Sequence, residues 1–92
     1  MKRIVVALAA AGLVLAAAVP SHAAQGILRL GFQTIANPSG CYNSQTWPLS
    51  VSNGTDQPVT IYGQPDCQGD PLSVVGPGGN VVEEFGASVS VP

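Results

Sequence analysis

The side chains able to do chemistry are few. They are the carboxylates Asp56, Asp66, Asp70, Glu83 and Glu84, the thiols Cys41 and Cys67, Arg29 in the body of the chain, and Lys2, Arg3 and His22 near its start. A carboxylate pair drawn from Asp66, Asp70, Glu83 and Glu84 would suit glycoside hydrolysis, in which one group protonates the leaving oxygen and the other attacks or activates water. Those four stand in Gly/Pro-rich turn segments, and the chain is short for walling off a cleft that excludes water. A serine or cysteine nucleophile needs a neighbouring base, and His22 and Lys2 both fall in a segment expected to be removed. There is no phosphate loop, Cys/His metal cluster or dinucleotide fingerprint. The expectation is a protein that is not an enzyme.

The segment to be removed is 1–23. Lys2 and Arg3 precede an apolar run over 4–19, Pro20 follows, and Ser21-His22-Ala23 has the small-x-small form cut by signal peptidase. The run falls short of the roughly 20 residues that span a bilayer, so a secreted protein with no membrane attachment after processing is predicted. Removing 23 of the 92 residues leaves 24–92, a single small domain of 69 residues. One arginine then faces five carboxylates, a net charge of −4. Binding to nucleic acid or to an anionic membrane requires clustered Lys and Arg, so neither partner is expected.

Cys41 and Cys67 lie in the processed part, and an even pair in a small secreted domain is expected to form a disulfide. Within one chain it would close a loop worth about 3–4 kcal/mol in the chain-entropy model. A bridge within one compact chain is expected, although the sequence by itself does not show that Cys41 pairs with Cys67 of the same chain, nor does it fix the oligomeric state.

The elements that position these groups are predicted to be strands. Gly and Pro interrupt every stretch long enough for a helix, and Val, Ile, Thr and aromatic runs alternate with turn residues. Strands are expected over 27–32, 49–52, 59–62, 72–75, 81–85 and 88–91. Turns are expected at Asn37-Pro38-Ser39-Gly40, Asn53-Gly54, Gln64-Pro65-Asp66 and 76–80. Asn53-Gly54-Thr55 also matches a glycosylation sequon, but a hairpin turn is the reading preferred. The strand spacing implies a small sandwich or barrel of about six to eight strands. An uncovered edge at 81–85 or 88–91 would favour self-association.

A repeat sharpens this picture. Trp47-Pro48-Leu49-Ser50-Val51-Ser52 aligns with Phe85-Gly86-Ala87-Ser88-Val89-Ser90 at an offset of 38, sharing aromatic-x-x-Ser-Val-Ser after a Pro/Gly-rich turn. Phe32, Tyr42, Trp47, Tyr62 and Phe85 are expected mainly in the core, with Trp47 beside Pro48 the one to watch for exposure and Trp47 or Tyr42 the residue a ligand platform would use.

From residue 59 onward the pattern resembles a βγ-crystallin Greek key: Tyr62, Gly69 and Ser88 match the motif, and Cys67 stands where a second aromatic is usual. In the first half Gly31 falls at the repeat offset from Gly69, while Ala24 replaces the aromatic. The resemblance implies an all-β Greek-key fold in which Gly69 takes a positive-φ fold-back under Tyr62. It also implies two activities, since secreted bacterial relatives include calcium-binding modules and small protease inhibitors. The calcium pattern would use Glu83 and Glu84, but Ala87 replaces the hydroxyl ligand and the other half, 45–50, has no carboxylate. No cofactor is therefore expected, with calcium the one to test. The inhibitor reading points to loops bounded by proline and braced by the cysteines: Asn37, Pro38, Ser39 and Gly40, and Gln64, Pro65, Asp66, Gln68 and Asp70. Its partner would be a secreted protease or another extracellular protein. The alternative is an extracellular structural module with no soluble target.

Overall fold

Alternation of apolar and small polar residues builds eight strands and no α-helix in the computed structural model, which describes residues 24–92. The signal-peptide expectation over 1–23 lies outside the described residues. The strands are β1 Gly26–Leu30, β2 Gln33–Ala36, β3 Gly40–Asn43, β4 Leu49–Thr55, β5 Val59–Tyr62, β6 Pro71–Val75, β7 Asn80–Glu83 and β8 Ser88–Val91. They form two antiparallel four-stranded sheets, ordered β2-β1-β4-β7 and β3-β8-β5-β6.

The two sheets are related by the repeat. Adding four to each number in β2-β1-β4 gives β6-β5-β8, the corresponding run of the other sheet, and each half lends its third strand to the sheet of the other. The register supports this relation, because Leu30 opposes Val51 in the first sheet as Ile61 opposes Val89 in the second. Val51 and Val89 are 38 positions apart, the offset found in the sequence.

One core joins the sheets. Leu28, Leu30, Leu49 and Val51 face Val59, Ile61, Val75, Val89 and Val91, and in β4 and β5 the residues between them turn outward. Each fully buried Leu or Ile contributes about 1.5–3 kcal/mol against exposure. The period of two therefore fixes which face of each strand turns inward.

Several boundaries differ from expectation. β2 and β3 are additional strands, and the expected strand over 27–32 stops at Leu30, where Gly31 (φ 60°) and Phe32 make the turn into β2. A side chain at Gly31 would collide with the Thr46 hydroxyl, so this position combines positive φ with close approach. Asn53-Gly54 is no turn: both residues lie within β4, and Asn53 is buried. Its amide donates to the carbonyls of Gln57 (2.8 Å) and Val75 (2.9 Å), and its oxygen accepts from Thr55 N (3.0 Å) and Thr55 Oγ1 (2.6 Å). Those bonds replace the turn as the reason for an asparagine here, and they bury the sequon. The expected strand over 81–85 ends at Glu83, and β8 is interior to its sheet, leaving β7 as the edge of the pair.

Because all pairings are antiparallel, β1, β3, β5 and β7 run toward one end of the molecule, here the distal end. That end carries the turn 31–32 and the loops 44–48, 63–70 and 84–87. The proximal end carries the loops 37–39, 56–58 and 76–79 together with residues 24, 25 and 92. Ser44 N donates to Ala87 O (2.8 Å) and Ala87 N to Tyr62 O (2.8 Å), which ties the distal loops of the two sheets together.

Candidate functional site

The distal connection between β5 and β6 is the most cross-linked loop of the molecule. It contains a 3-10 turn, Pro65–Cys67, in which Asp66 (φ 62°) and Cys67 (φ 55°) both adopt left-handed backbone, followed by Gly69 (φ 81°). Two consecutive non-glycine residues in that region are unfavourable on their own and persist where surrounding contacts over-determine them. Here the contacts are specific. Cys67 is bonded to Cys41 of β3 within the same chain, with Cα atoms 6.1 Å apart. Asn43 of β3 donates through its amide to an Asp66 carboxylate oxygen (3.1 Å) and accepts from Asp66 N (2.8 Å). Ser88 Oγ, at the start of β8, accepts from Cys67 N (2.9 Å) and donates to Gln64 O (2.5 Å).

Ser88 thus serves the hairpin and is fully buried beneath it, whereas Ser50, its repeat equivalent, is exposed. Gln64, Pro65, Asp66, Gln68, Gly69 and Asp70 remain exposed and Cys67 half-buried. The fold-back at Gly69 has the expected sign of φ, and a Cβ there would stand 3.5–3.8 Å from the Gln64 side chain. Tyr62 is half-buried at the end of β5.

The other expected binding loop lies elsewhere. Asn37, Ser39 and Gly40 are exposed and Pro38 is buried, at the proximal end of β3, whose second residue, Cys41, carries the bridge to Cys67. The loop is held by Asn37 N to Gly26 O (2.7 Å), by Gly26 N to Asn37 Oδ1 (3.0 Å) and by Tyr42, whose hydroxyl donates to Ser39 O (2.8 Å) and accepts from Ser39 N (3.0 Å). Gly40 itself opens β3. The disulfide ties 64–70 to Cys41, the residue that follows Gly40.

The aromatic residues correct the expectation of a core role. Phe32 is 95 % exposed, Trp47 65 % and Phe85 75 %, while Tyr42 and Tyr62 are half-buried. Trp47 and Phe85 do occupy equivalent positions ahead of β4 and β8, but outside. Gly86, buried, takes the inward place beside Leu49, where a Cβ would come within 2.9 Å of Leu49 Cδ2. The signal in the sequence was adjacency to a breaker: Gly31-Phe32, Trp47-Pro48 and Phe85-Gly86 all read as turn dipeptides.

Glu83 ends β7 half-buried and Glu84 is exposed in the turn that follows. Among the described residues no three His, Cys, Asp or Glu side chains gather into a potential metal cluster. Two carboxylates, with Ala87 in place of a hydroxyl, would leave most of the six to eight oxygens that calcium takes to backbone carbonyls and water. The described residues also enclose no pocket. The arrangement offers surface recognition by fixed, exposed groups. Comparison with protein-family models, with curated proteins and with solved structures finds no match.

Proposed function

We propose that this chain is a secreted, non-catalytic recognition domain of Greek-key, βγ-crystallin-like type that binds another extracellular protein through its distal hairpin, 63–70. The interchange of third strands between the two halves supports the Greek-key reading. The disulfide supports an oxidising compartment. The observation that carries the function is the hairpin, solvent-exposed along most of its length yet held by a disulfide and by hydrogen bonds from Asn43 and Ser88. A loop already fixed in one conformation loses little entropy on docking, and that is the main obstacle to tight binding by exposed segments.

A secreted protease is the partner class to test first. The processed chain is titrated against a panel of serine and metalloproteases and residual activity is followed. Stoichiometric inhibition of one class, weakened when Gln64 and Gln68 are changed to Ala, is the expected result. A flat response at micromolar concentration, with no stable complex by size exclusion, would reject the inhibitor form of the proposal.

A structural module without a soluble target is the second reading, favoured by β6. That edge strand exposes Leu72 (45 %) and Val74 (63 %), an uncharged template for strand pairing between copies. Sedimentation across a hundredfold concentration range distinguishes it: growth of assemblies favours the second reading, and a persistent monomer removes it.

A further inference from the structure

Three exposed aromatic rings on a domain this small call for a partner. The register brings their loops side by side. Gly31 N donates to Ser50 O (2.8 Å) and Gly31 abuts Thr46, which seats the Phe32 turn against the Trp47 loop. Glu83 opposes Leu49 across β7 and β4, which places the Phe85 turn on the other side of that loop. Val82, 64 % exposed, opposes Ser50 and extends the apolar surface down β7. In sheet order the turns that bear the three rings therefore follow one another across the distal end of β1, β4 and β7.

Charge selects the partner. Glu83 and Glu84 directly precede Phe85 at the distal end, Asp66 and Asp70 belong to the distal hairpin held to β3 and β8 of the other sheet, and Asp56 lies at the proximal end. Among the described residues Arg29, on the outer face of β1, is the only cation, so none stands within the distal loops themselves. We infer that the distal end, with Phe32, Trp47 and Phe85 at its centre, is the docking surface for a protein whose contact patch mixes apolar groups with Lys and Arg. This inference rests on the protein-binding reading above and names the partner's chemistry. The partner's aliphatic groups bury the rings, and its cations lie over ring faces and against the rim carboxylates. An anionic bilayer is repelled by the same carboxylates, and a neutral glycan gains nothing from them.

The test is an NMR titration of the 15N-labelled processed chain with four probes: an amphipathic Lys/Leu peptide, its Glu/Leu counterpart, a neutral chitin hexasaccharide and phosphatidylcholine vesicles. The inference expects the Lys/Leu peptide to shift the Trp47 indole and the amides of 31–32 and 84–86, with affinity falling as salt rises. Trp47→Ala with Phe85→Ala is expected to weaken binding about tenfold, and Glu83→Gln with Glu84→Gln to flatten the salt dependence. Asp56→Asn, at the other end, is expected to change neither. Amide spectra establish that each variant is folded. Equal binding of the Glu/Leu peptide, salt-independent binding of the hexasaccharide or vesicles at the rings, or no binding of the Lys/Leu peptide overturns the inference. A protease or other protein captured by 63–70 when the Lys/Leu peptide fails would overturn this inference alone, and loss of both would reject the recognition function with it.

Discussion

Between β1 and β2 the chain reverses in two residues, Gly31 and Phe32; at the equivalent place between β5 and β6 it takes eight, 63–70. The short turn needs only a glycine at positive φ and one backbone bond, Gly31 N to Ser50 O. The long one holds left-handed backbone at Asp66 and Cys67 and draws on residues far away in sequence, Cys41, Asn43 and Ser88. One strand arrangement thus carries two kinds of closure. A loop lengthened beyond a tight turn loses its local hydrogen bonds, and distant side chains must replace them if it is to stay ordered.

The sharpest way to break the contrast is to remove the disulfide. Cys41→Ser with Cys67→Ser is expected to cost about 3–4 kcal/mol in urea unfolding, the value of closing a loop of this length in the denatured chain. Amide exchange should rise first across 63–70 and leave the 31–32 turn protected. A loss below about 1 kcal/mol would show that hydrogen bonds alone hold the hairpin.

The next effect tests the proximal end, where Asn53 in β4 stands 38 positions before Val91 in β8 and both point inward. Asn53→Val gives the first half the residue of the second. It removes the bonds to Gln57 O, Val75 O and Thr55 N, with an expected loss of about 2–3 kcal/mol by thermal or urea unfolding. A neutral result would mean that the buried polar node adds nothing beyond its shape.

The smallest effect is the most direct comparison of the halves. Ser88→Ala strips Cys67 N and Gln64 O of their partner and is expected to cost about 1–2 kcal/mol. Ser50→Ala, at the same place in the other repeat, is expected to stay within about 0.5 kcal/mol. Equal costs measured side by side would remove the assignment of Ser88 to the hairpin.

Much of the strand pattern was legible from residue types. β5 and β8 fall where Val59-Thr-Ile-Tyr62 and Ser88-Val-Ser-Val91 place them, because alternation at period two with β-branched residues suits a half-buried strand. β2 and β3 were not legible. Each presents a single half-buried apolar side chain, Ile35 or Tyr42, and both are sheet edges whose order comes from the neighbouring strand. Asn53-Gly54 misled because the dipeptide suits a tight turn locally, whereas a buried four-bond site outweighs that preference. The aromatics misled for a related reason. Their size argues for burial, but the breakers Gly31, Pro48 and Gly86 set them in turns, and beside Phe85 the inward place is taken by Gly86 against Leu49.

By itself the sequence determined an all-β domain, an expected disulfide, a repeat at offset 38 and the absence of His and Lys from residues 24–92. These follow from local backbone preference and from counting. Only the tertiary structure decided that the bridge closes within one chain, that Ser88 is buried while Ser50 is exposed, and that the 64–70 hairpin is held to β3 and β8. It also decided that Phe32, Trp47 and Phe85 are exposed in turns at the distal end, with Glu83 and Glu84 directly before Phe85. Those are relations between residues distant along the chain, set by strand register and by which face of each sheet turns inward, and no local pattern encodes them.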